Sequence, residues 1–271
     1  MPQPPAADPS PVAPLSGRLR FASLGSGSKG NATLVSDGEA WVLVDCGFSL
    51  RDTERRLARL DIHPRQLDAV LVTHEHGDHL RGVGPLARRH GVPVYLTPGV
   101  WLSGRLGEVP KLHWITPQSR FTIKGLVIDP ITVPHDAREP IQFRFEAAGR
   151  RLGVLTDLGY PSDHVAEAFY GCDALILECN HDPHLLHTGP YPPILKRRVA
   201  SKWGHLANGQ AAALLTRLGL DRLQRIVCSH LSEHNNRPEL VLETLTPLLD
   251  GDASRLTIAA QDHGLQWQTI V

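Results

Sequence analysis

The sequence predicts an α/β fold of the α+β kind, a four-layer αββα sandwich, on three observations. Short apolar runs of strand composition recur through both halves of the chain. Helical stretches are spread through both halves instead of being gathered at one end. The middle region, Leu112–Leu155, has short apolar stretches separated by Gly, Pro or charged turns, the pattern of an antiparallel meander. A length of 271 residues is ample for one such domain.

Residues 1–17 are rich in Pro and Ala and are expected to be a disordered tail, with a single domain over 18–271. Arg20–Leu24 and Thr33–Val35 read as strands around the glycine-rich turn Gly25–Asn31. Trp41–Asp45 reads as a buried strand, Leu50–Leu60 as an amphipathic helix with an arginine face, and Leu67–Val72 as a second buried strand. One helix is expected over Asp78–His90, a strand over Val92–Leu96 and a short helix over Pro98–Leu106. The meander comprises Trp114–Ile115, Phe121–Ile123, Leu126–Val133, Ile141–Ala147 and Arg151–Leu155. Helices are then expected at Ser162–Tyr170, Gly209–Leu218 and Glu239–Leu249. Strands are expected at Ala174–Glu178, Leu223–Ser229, Arg255–Ala260 and Leu265–Ile270.

The 28 basic and 28 acidic residues balance, so global charge does not demand a nucleic-acid partner, nor does it exclude a local basic groove. No apolar run approaches membrane-span length and no signal-peptide core is visible, so a cytoplasmic location without a membrane partner is expected. Cys46, Cys172, Cys179 and Cys228 lack C-x-x-C spacing and are expected to be reduced core residues. The sequence carries no signal for oligomeric state.

The chemistry centres on Thr73–His79, where His74, His76 and His79 stand with Glu75 and Asp78 just after a buried strand. Neutral imidazole and carboxylate oxygen are what borderline divalent metals bind. Packing gives no reason for so much polarity beside a core strand, because an unpaired buried polar group costs a few kcal/mol. Four further stations share one grammar, an apolar strand and then a ligand-type residue. They are His135-Asp136, Asp157, Glu178 through Asp182, and His230. Strand ends on one rim lie close in space, so such residues can converge on one site.

These residues, His74-x-His76-x-Asp78-His79 followed by His135, Asp157 and His230, resemble the metallo-β-lactamase superfamily. Within it the chain is similar to the WalJ/YycJ-like branch. The segments that carry this are Gly25–Asn31, Val44–Gly47, Thr156–Gly159, Glu178–Asp182, Gly204–Asn208 and His230–Asn235. Ala207 stands where that branch often has Ser, and His234 where it often has Asn; neither is among the proposed ligands.

The resemblance implies the αββα sandwich and two divalent metal ions, zinc or manganese. It implies His74, His76 and His135 on one ion, Asp78, His79 and His230 on the other, and Asp157 between them. Asp45 is expected to stand behind the ligands and fix an imidazole. An imidazole at His76, where the oxygen- and NO-reducing diiron members resemble His-x-Glu-x-Asp, favours hydrolysis over redox chemistry.

The metal site alone fits thioesters, lactams, lactones or phosphodiesters. Ser26, Ser28 and Asn31, with the surrounding glycine amides, form either an anion nest or simply a tight turn. Lys196-Arg197-Arg198 and Lys202 form either a track for a phosphodiester backbone or a solvated helix face. The branch resemblance implies a phosphodiesterase, a 5′-to-3′ exonuclease on DNA, in which a metal-bridging hydroxide attacks phosphorus in line, with Asp78 in the catalytic set. His181 and His205 are expected near the rim, to protonate the leaving oxygen or grip a phosphate. The alternatives are a thioester or lactone hydrolase on the same site, which needs an apolar pocket, and a non-catalytic binding module, which would have lost ligands.

Overall fold

Two seven-stranded sheets face one another, and helices cover both outer faces. The computed structural model describes residues 17–271; the expected tail, but for Gly17, lies outside the described residues. The first sheet runs β14-β1-β2-β3-β4-β5-β6 and the second β13-β12-β11-β10-β9-β8-β7. In chain order the first seven strands are β1 (Arg20–Gly25), β2 (Ala32–Ser36), β3 (Trp41–Val44), β4 (Ala69–Leu71), β5 (Val94–Leu96), β6 (Leu112–Trp114) and β7 (Phe121–Ile123). They are followed by β8 (Leu126–Thr132), β9 (Ile141–Ala147), β10 (Arg150–Leu155), β11 (Ala174–Glu178), β12 (Arg225–Ser229), β13 (Leu256–Ile258) and β14 (Leu265–Thr269). The helices are α1 (Leu50–Ala58), α2 (Gly77–Leu80), α3 (Val83–His90), α4 (Pro98–Trp101), α5 (Asp163–Phe169), α6 (Pro183–Thr188), α7 (Pro193–Val199), α8 (Asn208–Leu218) and α9 (Pro238–Leu245).

Four layers require three apolar interfaces, and three buried clusters supply them. Along β3, Val42 and Val44 enter the cluster between the sheets, while Leu43 enters the one under the helices. On β11, Ala174 and Ile176 point between the sheets, and Leu175 and Leu177 point towards α5, α8 and α9. This period-2 alternation with both faces apolar is what a strand buried on two sides requires. The sandwich predicted from sequence is therefore observed.

The strands β3 to β6 run parallel, as do β10 to β13. The meander β7-β8-β9-β10 is antiparallel as expected. The first of its expected strands is not part of it, because β6 pairs in parallel with β5 at the edge of the other sheet.

The single helix expected over Asp78–His90 is two, α2 and α3, broken near Gly82. There the Gly82 N–H donates to Cys46 O at 2.7 Å, and a Cβ would stand 2.2 Å from Phe48 O. The chain passes too close to the β3 exit for a continuous helix. The helix expected to Leu249 ends at Leu245, where Pro247 cannot continue the hydrogen-bond ladder and a 3₁₀ turn takes over. The sequence pattern does not signal helices α6 and α7; each begins with a proline at its first turn, in a stretch whose Pro and Gly content masks the helical period. All four cysteines are buried and free, as expected. Among the described residues no helix is long and apolar enough to cross a membrane.

Candidate metal centre

The site lies beyond the C-terminal ends of the parallel strands, the usual ligand position in open α/β sheets. Asp45 follows β3 directly, and Asp157 and His230 follow β10 and β12. Asp45 (φ 60°), Asp157 (φ 52°) and His230 (φ 55°) all adopt the left-handed backbone region. That conformation costs a non-glycine residue about 1–3 kcal/mol, and such strain persists where the surrounding structure over-determines it. One backbone device thus stands at three strand ends of the site. The β4 exit and α2 supply His74, His76, Asp78 and His79, and the β8 exit supplies His135.

The structure brings all seven expected ligands together. One ligand-type atom from each of His74, His76 and His135 lies within 4.8 Å of the others. The same holds for Asp78, His79 and His230, and for His74, His79 and Asp157. Asp157 Oδ2 is 3.1 Å from His79 Nε2, and Oδ1 is 3.6 Å from His230 Nε2 and 3.9 Å from His135 Nε2. It therefore sits between the two triads.

Hydrogen bonds at the far side of each ring decide which nitrogen is bare. Thr73 Oγ1 donates to Asp45 Oδ2 at 2.7 Å, so His74 Nδ1–H donates to Thr73 Oγ1 at 2.8 Å. His135 Nδ1 donates to Gly204 O at 3.0 Å, since a carbonyl only accepts. His79 Nδ1 donates to Asp45 Oδ2 at 2.8 Å, so Asp45 stands where a ligand-orienting acceptor is expected. The Nε2 atoms of His74 and His135 are left as lone pairs, 3.0 and 3.2 Å from His76 Nδ1. Only one of those contacts can be a hydrogen bond, because His76 Nδ1 has at most one proton.

Three imidazole nitrogens pointing at one another, with the buried Asp157 Oδ2 making no well-aligned hydrogen bond although His79 Nε2 lies 3.1 Å away, fit a divalent cation. Ligating histidines whose other nitrogen donates to a carboxylate, hydroxyl or carbonyl are the usual arrangement around such ions.

Electrostatics divide the site. Burial holds His74 well below the ordinary imidazole range and lowers His135 too, so these rings are neutral. Burial also opposes a charge on His79, but Asp157, Asp78 and Asp45 outweigh it and raise its pKa well above normal. His230 is likewise lifted against burial to about 10, by Asp157, Asp78 and Glu178. Asp78 and Asp157 resist burial and stay ionised against those imidazoles. The half of the site with more carboxylate holds protons that a metal would replace.

The centre opens into a cavity of about 360 Å³ whose wall includes Ser28, Asn180, Tyr191, Arg198, His205 and Ser232. His205 lies on it as expected, with Nδ1 2.7 Å from Glu178 Oε1. Glu178 Oε2 accepts from the backbone N–H of Leu158 and Leu206 at 2.8 and 3.1 Å. Burial works against a charged His205, yet Glu178 and Asp157 outweigh it and raise its pKa. Glu178 itself is held down to about 2 by His205, against its burial. Its part in the site was not assigned from sequence, although its place at the end of β11 matches the strand-end grammar. His181 is placed elsewhere: buried, it borders a neighbouring groove with Lys196 and Arg197, and burial lowers it to about 4.

The anion-nest reading of the glycine-rich turn is corrected. The amides of Ser26, Gly27, Lys29, Gly30 and Asn31 all donate within the protein, to Ala260 O, Asn31 Oδ1, Gln261 Oε1, Gly27 O and Asp78 O. Ser26 Oγ accepts from the His230 N–H at 2.8 Å, and Asn31 Nδ2 lies 3.3 Å from Asp78 Oδ2. Ser26 and Asn31 hold two of the expected ligands in place, and only Ser28 of the three reaches the cavity wall.

Comparison with known proteins finds relatives by sequence and by fold. A family described as "Beta-lactamase superfamily domain" matches residues 40–230. The chain is 35% identical to the exodeoxyribonuclease YycJ of Bacillus anthracis, covering 86% of this chain and 89% of that protein. It is 36% identical to the exodeoxyribonuclease WalJ of Streptococcus pneumoniae, covering 84% and 87%. The fold is shared with the metallo-β-lactamase fold protein YhfI of Bacillus subtilis, with TM-score 0.71 and 19% identity over 93% of this chain and 99% of that one.

Proposed function

Because the chain belongs to the β-lactamase superfamily, we propose that it is a metal-dependent hydrolase of phosphodiesters, acting on DNA as an exonuclease. The single observation that carries this is the clustering of His74, His76, His135, Asp78, His79, His230 and Asp157 in overlapping groups whose ligand atoms lie within 4.8 Å of one another. In this reading the first three would hold one divalent ion, Asp78, His79 and His230 the second, and Asp157 would touch both. When bound, such ions supply Lewis acidity: they lower the pKa of water and neutralise charge on a phosphate. The ions would be zinc or manganese, matched to imidazole and carboxylate donors.

The protein's own groups do the remaining work. Asp45, Thr73 and Gly204 O hold the Nδ1 protons of His79, His74 and His135, so that Nε2 faces inwards on all three, bare on His74 and His135 and carrying on His79 the proton a metal would replace. His205 holds its proton on the cavity wall. With Nδ1 tied to Glu178, Nε2 is the atom that would protonate a departing oxygen. The names of the two curated relatives support DNA as substrate and the exonuclease mode.

A thioester or lactone hydrolase would need an apolar pocket. This wall carries Ser28, Asn180, Arg198 and Ser232, with Leu195 and Val199 as its aliphatic members. A non-catalytic module would lack ligands, and all seven are present and converge.

The test is a substrate panel with the zinc- and manganese-loaded protein: 5′-phosphorylated duplex DNA, bis(p-nitrophenyl) phosphate and a thioester. The expected result is nucleotide release from DNA, slower cleavage of the small diester and no thioester turnover. Turnover of the small diester alone would sink the nuclease reading, and a preference for the thioester would sink the phosphodiesterase reading.

A further inference from the structure

Helix α7 presents two faces. Leu195, Arg198 and Val199, spaced i, i+3 and i+4, line the metal cavity, while Lys196, Arg197 and Ala200 face the neighbouring groove. Of the basic run Lys196-Arg197-Arg198, only Arg198 therefore borders the cavity. It is also the one permanent cation on that wall among the described residues.

Arg198 has an anionic partner already. Its Nε donates to Asp136 Oδ2, and the other oxygen of that carboxylate lies 3.4 Å from His135 Nε2 and 3.9 Å from His76 Nε2. Asp136 is thus an anion wedged between a guanidinium and the His74–His76–His135 triad. Its backbone is fixed by a 2.9 Å bond from its N–H to Trp203 O. The Arg198 side chain is 53% exposed and that of Asp136 27%. Pairs this exposed are weak and readily exchanged for a better anion. A phosphate offers two oxygens to the guanidinium fork and carries its charge on more than one of them.

We propose that Arg198 seats the phosphodiester anion of the substrate beside the His74–His76–His135 triad, and that Asp136 occupies Arg198 in the substrate's place. This rests on the phosphodiesterase reading above and adds the residue that selects an anionic over a neutral ester. Binding exchanges one partner of Arg198 for another: the Asp136 carboxylate swings away and phosphate oxygens accept from the guanidinium.

The test measures binding without chemistry. A 5′-phosphorylated 12-nucleotide single strand, made resistant to cleavage by phosphorothioate linkages and labelled at its 3′ end, is titrated into the zinc-loaded protein by fluorescence anisotropy over about 25 to 200 mM KCl, a span that resolves the salt slope. Arg198→Ala is expected to weaken binding about tenfold and to reduce the log–log salt slope by about 0.7, the loss of one single-strand phosphate contact. Arg198→Lys should keep the slope but recover only part of the affinity, because it lacks the fork. Asp136→Asn should tighten binding severalfold in the wild-type background, and by less in the Arg198→Ala background. A merely structural ion pair would move the melting temperature and leave the slope alone. Wild-type affinity and slope in Arg198→Ala overturn the role of Arg198, and equal gains from Asp136→Asn in both backgrounds overturn its pairing with Asp136. A wild-type protein that does not bind the strand at any salt overturns the nucleic-acid reading itself.

Discussion

His79 Nδ1 lies 2.8 Å from Asp45 Oδ2, and both side chains are almost wholly buried. Asp45 also accepts from the N–H and hydroxyl of Thr73, so one carboxylate orients His79 directly and His74 through Thr73. Orienting partners of this kind are worth about 10–100-fold in metal affinity. Asp45→Ala is therefore expected to lower the affinity for zinc by that factor, measured by competition with a chromophoric chelator, while circular dichroism shows the fold retained. Unchanged affinity in the folded variant would show that Asp45 does not orient the ligands.

Gly47 lets the α2 turn lie against the β3 exit. A Cβ there would stand 1.7 Å from Asp78 O, and backbone cannot yield as a flexible side chain does. Gly47→Ala should cost at least about 2 kcal/mol of stability, as overpacking does, and should displace Asp78. Denaturant unfolding gives the first quantity and metal retention the second. A variant as stable as wild type with full metal content contradicts the packing described.

Metal and protons compete for the same nitrogens. Ligands bind as neutral imidazole and carboxylate, so a bound ion stabilises the fold at neutral pH and is released as pH falls. EDTA is expected to lower the melting temperature at pH 7.5, and this difference should vanish towards pH 5. Scanning calorimetry with and without chelator checks it; an equal difference at both values would argue against histidine ligation.

Asp129 on β8 is a control remote from the ligands. Burial opposes its ionisation, but Arg120 and Arg144 outweigh this and hold its carboxyl below the usual range. A depressed folded-state pKa contributes stability that is fully present above the unfolded value of about 3.9 and is lost as pH falls through the folded value. Asp129→Asn should then lower the melting temperature at pH 7 by more than it does near pH 3. A pH-independent difference would contradict the linkage.

Much of the fold and the ligand set is legible in the sequence, because both are written locally. Val42 through Val44 and Ala174 through Leu177 declare buried strands by being apolar at every position; Asp45 and Glu178 directly follow them, and His74, His135, Asp157 and His230 follow other strand ends. What escapes is long-range. The Ser26 hydroxyl supports the His230 backbone across 204 residues, and Asn31 reaches Asp78 across 47, so a turn that looks like an anion nest is a buttress. Whether β6 joins the meander or the opposite sheet depends on a parallel partner that periodicity does not name. Arg198 is distinguished from Arg197 only once the cavity shows which face of α7 it meets.

Asp157 stands between the two triads, and the proposed function requires it to join two ion sites that together cleave phosphodiesters. The direct measurement is metal stoichiometry by mass spectrometry alongside DNA cleavage, in wild type and in Asp157→Ala shown by circular dichroism to be folded. Two ions per chain in wild type, with fewer ions and at least about 10³-fold slower cleavage in the variant, is the predicted result, the scale expected when metal-ion stabilisation of the transition state is lost. Full metal content and unchanged cleavage in Asp157→Ala would contradict it.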